Sequence, residues 1–153
     1  MKKILWLIFP AVLFLASCNK YDDGPAISLY TKTHRLANVW ILSQVFETTS
    51  NGVRTDKTSD YEAYYYGLVL TIDKKNLYSL SYSTLNILAY QEDGTWVYNG
   101  DKTHVFFTKT SSSSASSLGS DWTILKLKEK SLWGSYTQSN GTVVEVHFIP
   151  RFK

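Results

Sequence analysis

One thiol, three imidazoles and a dense set of phenols are the groups in this chain able to do chemistry beyond packing. The thiol is Cys18, the single cysteine among 153 residues. With no second cysteine, neither an internal disulfide nor a thiolate metal centre is available to hold the fold. The imidazoles are His34, His104 and His147. Glu145 and His147 stand two apart in a β-patterned stretch and share a face, so their side chains are within reach of each other. They alternate with Val144, Val146 and Phe148, which puts the pair on the solvent side. A zinc site needs three or four converging ligands, and no spacing here promises them. Gly-x-Ser-x-Gly and phosphate-cradling glycine loops are missing, and nothing selects two carboxylates for glycoside hydrolysis. The expectation is a protein that is not an enzyme and uses no metal or cofactor.

The phenols are the most concentrated feature. Tyr61, Tyr64, Tyr65 and Tyr66 fall within six residues, and Tyr78, Tyr82, Tyr90, Trp96 and Tyr98 follow. Aromatic side chains pack small barrels and stabilise cross-strand pairs. They also stack on apolar or sugar surfaces while their hydroxyls give direction. Alternation puts Tyr64 and Tyr66 at the rim end of an inward face, where they line a mouth. Tyr64, Tyr66, Tyr78, Tyr82 and Trp96 are therefore the candidate ligand-binding residues, for a small apolar or glycan-like ligand in a shallow pocket.

The elements that position these groups begin with a leader. Met1-Lys2-Lys3 is a positive start, and Ile4 to Ala16 is an apolar run broken by Pro10, with small residues before Cys18. That order is a secretory signal peptide, too short to span a bilayer comfortably. Leu15-Ala16-Ser17-Cys18 resembles the bacterial lipobox. The resemblance implies a diacylglyceryl group on the Cys18 thiol and cleavage that leaves Cys18 as the first residue. Two or more acyl chains anchor stably, at about 0.8 kcal/mol per buried methylene, where one gives only marginal attachment. Lys20-Tyr21-Asp22-Asp23 is similar to the surface-export signal of Bacteroidetes lipoproteins, and solvated linker charge accounts for it as well. Outer-membrane anchoring is expected, with the periplasmic and the surface-exposed side both open. The chain thus divides into a leader (1–17), a lipidated cysteine with a polar tether (18–34) and a folded domain (35–153). Losing the leader removes Lys2 and Lys3, two of the three net positive charges, so no basic patch argues for nucleic acid.

From Leu36 onward the composition is that of strands, with turn signals at short intervals. These are Asn51-Gly52, Asp73-Lys74-Lys75-Asn76, Glu92-Asp93-Gly94, Asn99-Gly100-Asp101 and Ser139-Asn140-Gly141. Glu62 to Ile72 reads as one strand with Tyr64, Tyr66, Leu68, Leu70 and Ile72 on its apolar face and Gly67 at a bend or bulge. Leu36 to Phe46 has room for one opening helical turn. Ser111 to Ser117 reads as a flexible loop between strands ending near Thr108 and beginning near Asp121. Lys126 and Lys128 face out while Leu125 and Leu127 face the core, a pattern that suits water and not lipid, where a midplane lysine costs roughly 2–4 kcal/mol. The fold class expected is an all-β, antiparallel up-and-down barrel of about eight strands.

The order Leu36…Trp40-Ile41-Leu42, Leu70…Tyr78, Gly94-Thr95-Trp96, Trp122 to Leu127, Leu132-Trp133-Gly134 and Phe148-Ile149-Pro150-Arg151 is similar to the small lipocalin-like lipoproteins of Bacteroidetes. The resemblance covers nearly the whole mature domain. It implies the barrel, and it implies a structural role for Trp40 at the closed end. Two function classes follow: a membrane-anchored binding module for a small ligand, or a structural or interaction protein of an envelope assembly whose barrel is filled. Replacing Cys18 by Ala is expected to release the protein from membranes or leave it unprocessed. Membrane fractionation checks this, and a Cys18→Ala protein of mature size still in the membrane fraction contradicts it.

Overall fold

A computed structural model describes residues 30–84, 88–110 and 118–151. Cys18, the leader, the tether to residue 29 and the Ser111–Ser117 stretch lie outside the described residues. Lys32–Lys153 form one compact unit. It begins three residues before the expected boundary, because Lys32–Leu36 form a short helix, α1. Arg35 donates to the Leu127 carbonyl at 3.0 Å and ties that helix to the sheet.

Nine strands follow: β1 (Val39–Thr48), β2 (Arg54–Asp56), β3 (Tyr66–Ile72), β4 (Leu77–Thr84), β5 (Leu88–Tyr98), β6 (His104–Lys109), β7 (Asp121–Lys128), β8 (Ser131–Thr137) and β9 (Val143–Pro150). Every neighbouring pair is antiparallel, and β1 also pairs with β9, so β1 and β3 to β9 close into an eight-stranded barrel. Closure leaves no long edge to recruit another chain. β1 serves three partners. Its Trp40–Thr48 stretch pairs with β9, Val39–Ile41 with β3, and Phe46–Thr48 with the short β2. A register shift at Ser43 bends the strand between those duties.

The turns fall where the dipeptides placed them, at Asn51-Gly52, Asp73–Asn76, Asn99–Lys102 and Asn140-Gly141, with one exception. Glu92-Asp93-Gly94 is the middle of β5. Its glycine answers a packing constraint: a Cβ on Gly94 would lie 2.2 Å from the Thr108 carbonyl oxygen and 2.5 Å from the Tyr78 ring. A second correction concerns Glu62–Ile72. Thr58–Tyr64 form a helix, α2, and only Tyr66–Ile72 is strand. Asp56 accepts the Thr58 amide at 2.8 Å, Lys57 pairs with Asp60, and the Thr58 hydroxyl accepts the Val45 amide, which docks the helix start on β1. Gly67, at φ +66°, sits in the anticipated bulge.

Antiparallel alternation gives the barrel two different ends. The α1 end carries the β3–β4, β5–β6 and β7–β8 turns. The α2 end carries the β1–β2 and β8–β9 turns and the approach to β7. Trp40, Trp96 and Trp122 point inward and are almost fully buried with Phe148, Leu80 and Leu132. Each indole N–H finds a carbonyl: Trp40 to Leu36 at 2.9 Å, Trp96 to Asp73 at 3.0 Å, and Trp122 to Leu118. Buried indoles need such a partner. The burial of Trp40 beneath α1 matches the structural role that the resemblance implied.

Leu125 departs from its expected place. A register shift between Ile124 and Lys126 makes it a bulge residue, 49% exposed, while Leu127 packs against the core and Lys126 lies outside over Trp133. Gly94→Ala is expected to destabilise the barrel by about 3 kcal/mol, the upper end of the usual cost of overpacking, since a backbone carbonyl cannot swing away as a side chain can. Urea unfolding checks this through a lower midpoint at unchanged slope, and an unshifted midpoint contradicts it.

Candidate functional site

The inward row of β5 reads Tyr90, Glu92, Gly94, Trp96 and Tyr98, and that of β6 reads Val105, Phe107 and Lys109. Two of these side chains are charged. Glu92 has no exposed surface at all. Its carboxylate accepts from the Tyr78 hydroxyl at 2.6 Å and the Tyr90 hydroxyl at 3.0 Å, and pairs with the Lys109 ammonium at 2.9 Å. Lys109 also donates to the Tyr90 oxygen at 3.0 Å. Taking a carboxylate out of water costs several kcal/mol unless partners of this kind surround it. Burial works against the charge on Lys109, yet its bonds to Tyr90 and Glu92 hold its pKa above the ordinary lysine value.

A second polar cluster lies across the same α2 end. Glu47 pairs with Val144 on the inward row and accepts from the Tyr61 hydroxyl at 2.9 Å. Gln138 reaches the same hydroxyl at 3.4 Å. Between the clusters runs a belt of rings. Tyr64 and Tyr61 pack on Tyr65, Tyr65 meets Tyr82 edge-on at 5.0 Å, and Tyr82 stacks on Tyr90 at 4.6 Å. Tyr61 and Tyr65 stand four apart, so one face of α2 delivers both rings to the barrel mouth. Below the belt the space is filled. The cavity beside Glu92, lined by Leu70, Tyr78, Leu80, Phe107, Leu118 and Trp122, measures about 10 Å³, room for about one water.

The expected site residues separate into two groups. Tyr78, Tyr82 and Trp96 point inward and are buried, at 5, 7 and 2% exposure. Trp96 belongs to the closed α1 half, while Tyr78 and Tyr82 reach the α2 half. Tyr64 and Tyr66 do not lie on an inward face. Tyr64 ends α2, and the bulge after Tyr66 pairs it with Ser83 on the outer surface; both are more than half exposed at the rim. Period-two alternation across 62–72 does not show the helix; its signals are the i, i+4 tyrosines and the Thr-Ser-Asp start. The turn-like Glu92-Asp93-Gly94 conceals Glu92, whose signal is the two-residue period it shares with Trp96. Lys109 shares one with Val105 and Phe107.

The histidines do not converge. His34 is on α1, and His104 on β6 pairs with Asp121 at 3.1 Å. His147 is on the outer face, as expected, but it is only 6% exposed. The Trp133 ring stacks on it at 4.1 Å, and its nitrogens face Gln44 at 3.2 Å and Glu145 at 2.5 Å. Burial raises the Glu145 pKa, but His147 and Arg54 outweigh it and bring the carboxyl below its ordinary range. Among the described residues, no three histidine, cysteine or acidic side chains group to hold a metal, and no helix is long and apolar enough to cross a membrane.

No family model and no curated protein matches the chain. Among solved structures it is similar to a lipocalin-like protein from Bacteroides uniformis, with 14% identity over 76% of this chain and 98% of that one and a TM-score of 0.52. It is also similar to a DUF4847 family protein from Bacteroides vulgatus (11% identity, 74% and 92% coverage, TM-score 0.48) and to a triple mutant of bovine odorant-binding protein (12%, 78% and 76%, 0.45). At such identities the likeness is one of fold. The chain folds as a lipocalin-like barrel.

Burial raises the pKa of Tyr61, Tyr78 and Tyr136 well above the ordinary phenol value, and that of Tyr98 to about 12. A neighbouring carboxylate adds to this for Tyr61 (Glu47) and Tyr78 (Glu92). A raised native pKa means the fold favours the neutral phenol. Its stabilisation is complete below about pH 10 and is lost as pH rises through the higher native values. Absorbance titration of phenolate is expected to show these tyrosines ionising only as circular dichroism reports unfolding. Full ionisation of all tyrosines in the folded state contradicts the arrangement.

Proposed function

We propose that this protein is a membrane-anchored, non-enzymatic binding barrel that takes a small apolar or glycan-like ligand across its α2 end. Lipid on Cys18 would hold it at the outer membrane. One observation carries the reading: the inward-facing charges and the stacked phenols gather at one end, while Trp40 and Trp96 close the other. A barrel that needed only to be filled has no use for a wholly buried carboxylate, since apolar replacements of such pairs are often neutral or stabilising. Ring faces on Tyr65, Tyr82 and Tyr90 suit the flat side of a sugar or an apolar ring, and Lys109 with the hydroxyls gives orientation. The small cavity confines the ligand to the mouth, so affinity for long acyl chains is not expected.

The filled interior also favours a second reading, an interaction protein of an envelope assembly whose work is done on its surface. Mass spectrometry of the protein purified from envelopes separates the two. The first reading predicts a small molecule that co-purifies and is lost from Tyr90→Ala and Lys109→Met proteins that remain folded by circular dichroism. No bound molecule in the wild type, together with no ring-stacking sugar or apolar ring bound at millimolar concentration, contradicts it in favour of the second.

A further inference from the structure

The α1 end gathers charges that are scattered along the sequence. Lys74 and Lys75 come from the β3–β4 turn, Lys102 from the β5–β6 turn, Lys130 from the β7–β8 turn, Lys32 from α1, and Arg151 follows β9; all six are exposed. Against them stand Asp73, Asp101 and Glu129. Asp73 is engaged within its own turn, where its carboxylate accepts the amides of Lys75 and Leu77, both at 2.8 Å. Lys32 reaches over to the Lys102 carbonyl at 3.0 Å, so α1 lies within the ring of turns that carry the lysines. The opposite end has the reverse balance, with Asp56, Asp60, Glu62 and Glu145 around Arg54 and Lys57. The barrel therefore has a basic end and an acidic end.

Exposed apolar side chains adjoin the basic end on the outer wall. Leu77 begins β4 and is 50% exposed, and Val97 near the end of β5 is 49% exposed. Val97 pairs directly with Phe106 on β6. A positive ring with apolar side chains at its border is the chemistry that recognises an anionic bilayer surface: the cations meet headgroup phosphates and the apolar groups enter the interface. The chain enters the compact unit at Lys32, at this same end.

We propose that the α1 end is a docking face for an anionic membrane surface. A tethered barrel would then rest on its closed, tryptophan-filled end and hold its tyrosine-lined mouth away from the lipid. The inference goes beyond the anchored binding reading and rests on it only for the setting. It concerns the barrel itself, so it is testable without the anchor. Every ladder bond and core side chain described above lies within Lys32–Arg151, so the Lys32–Lys153 unit is suited to the test.

That unit is mixed with vesicles of phosphatidylglycerol and phosphatidylethanolamine, or of phosphatidylcholine alone, and sedimented at low and at high salt. Binding is expected only to the anionic vesicles, weakening at least about tenfold between about 0.05 M and about 0.5 M salt. Charge reversal by Lys74→Glu, Lys75→Glu and Lys102→Glu together is expected to weaken it by at least about tenfold, while Lys57→Glu at the other end leaves it within about twofold. Equal binding to both vesicle types, equal loss from the Lys57 variant, or no binding to anionic vesicles at low salt overturns the proposal. Salt-sensitive retention on heparin without vesicle binding also overturns it, in favour of a soluble polyanion. Because the unit carries no lipid, none of these results depends on whether Cys18 is acylated or whether the mouth binds a ligand.

Discussion

A carboxylate with no exposed surface, held inside a small barrel by one ammonium and two phenols, is the interaction around which this structure is arranged. Glu92 cannot be hydrated where it sits, so its partners must come from the neighbouring strands: Tyr78 from β4, Lys109 from β6, and Tyr90 from its own strand. Those partners meet only in one pairing of β4, β5 and β6. A one-residue slip would send each of them to the outer face. The same arrangement bears on Gly94, two residues later. The Tyr78 ring that reaches Glu92 occupies the space a Cβ on Gly94 would need.

Around that centre the barrel divides its labour by end. Three tryptophans with satisfied indole N–H groups fill the interior, and α1 closes one opening over Trp40. At the other opening α2 delivers two tyrosines to a belt that continues through Tyr82 and Tyr90. The interior of an eight-stranded barrel is wide enough for side chains or for one small ligand. Here the described side chains take nearly all of it. The outer wall is organised too. Trp133 roofs His147 and Arg54 lies over Phe46, so part of the outer face of β1, β8 and β9 is covered as well.

What the sequence made legible was whatever is decided locally. Asn51-Gly52 and Asn140-Gly141 adopt turns because their own backbone preferences demand it, and the alternation of Val144, Val146 and Phe148 marks an inward face without reference to any neighbour. The failures have non-local causes. Gly94 looks like a turn residue until the Tyr78 ring and the Thr108 carbonyl are placed against it. Tyr66 leaves the inward face because the bulge that Gly67 announces reverses the alternation before it, and Leu125 leaves it on β7 through a bulge that no residue marks. His147 is buried by Trp133, a residue fourteen positions away. The basic end is invisible in sequence because its lysines come from turns that only the closed sheet brings together.

The measurement that tests the account most directly is a double-mutant cycle on the buried pair, with Glu92→Gln, Lys109→Met and the double variant followed by denaturant unfolding. If the pair is the constraint described, each single change strands a buried group and costs about 3–5 kcal/mol, and the double variant recovers much of that loss. Single changes that cost little and simply add would mean that Glu92 and Lys109 are not buried against one another. The interior would then have to be organised by something else.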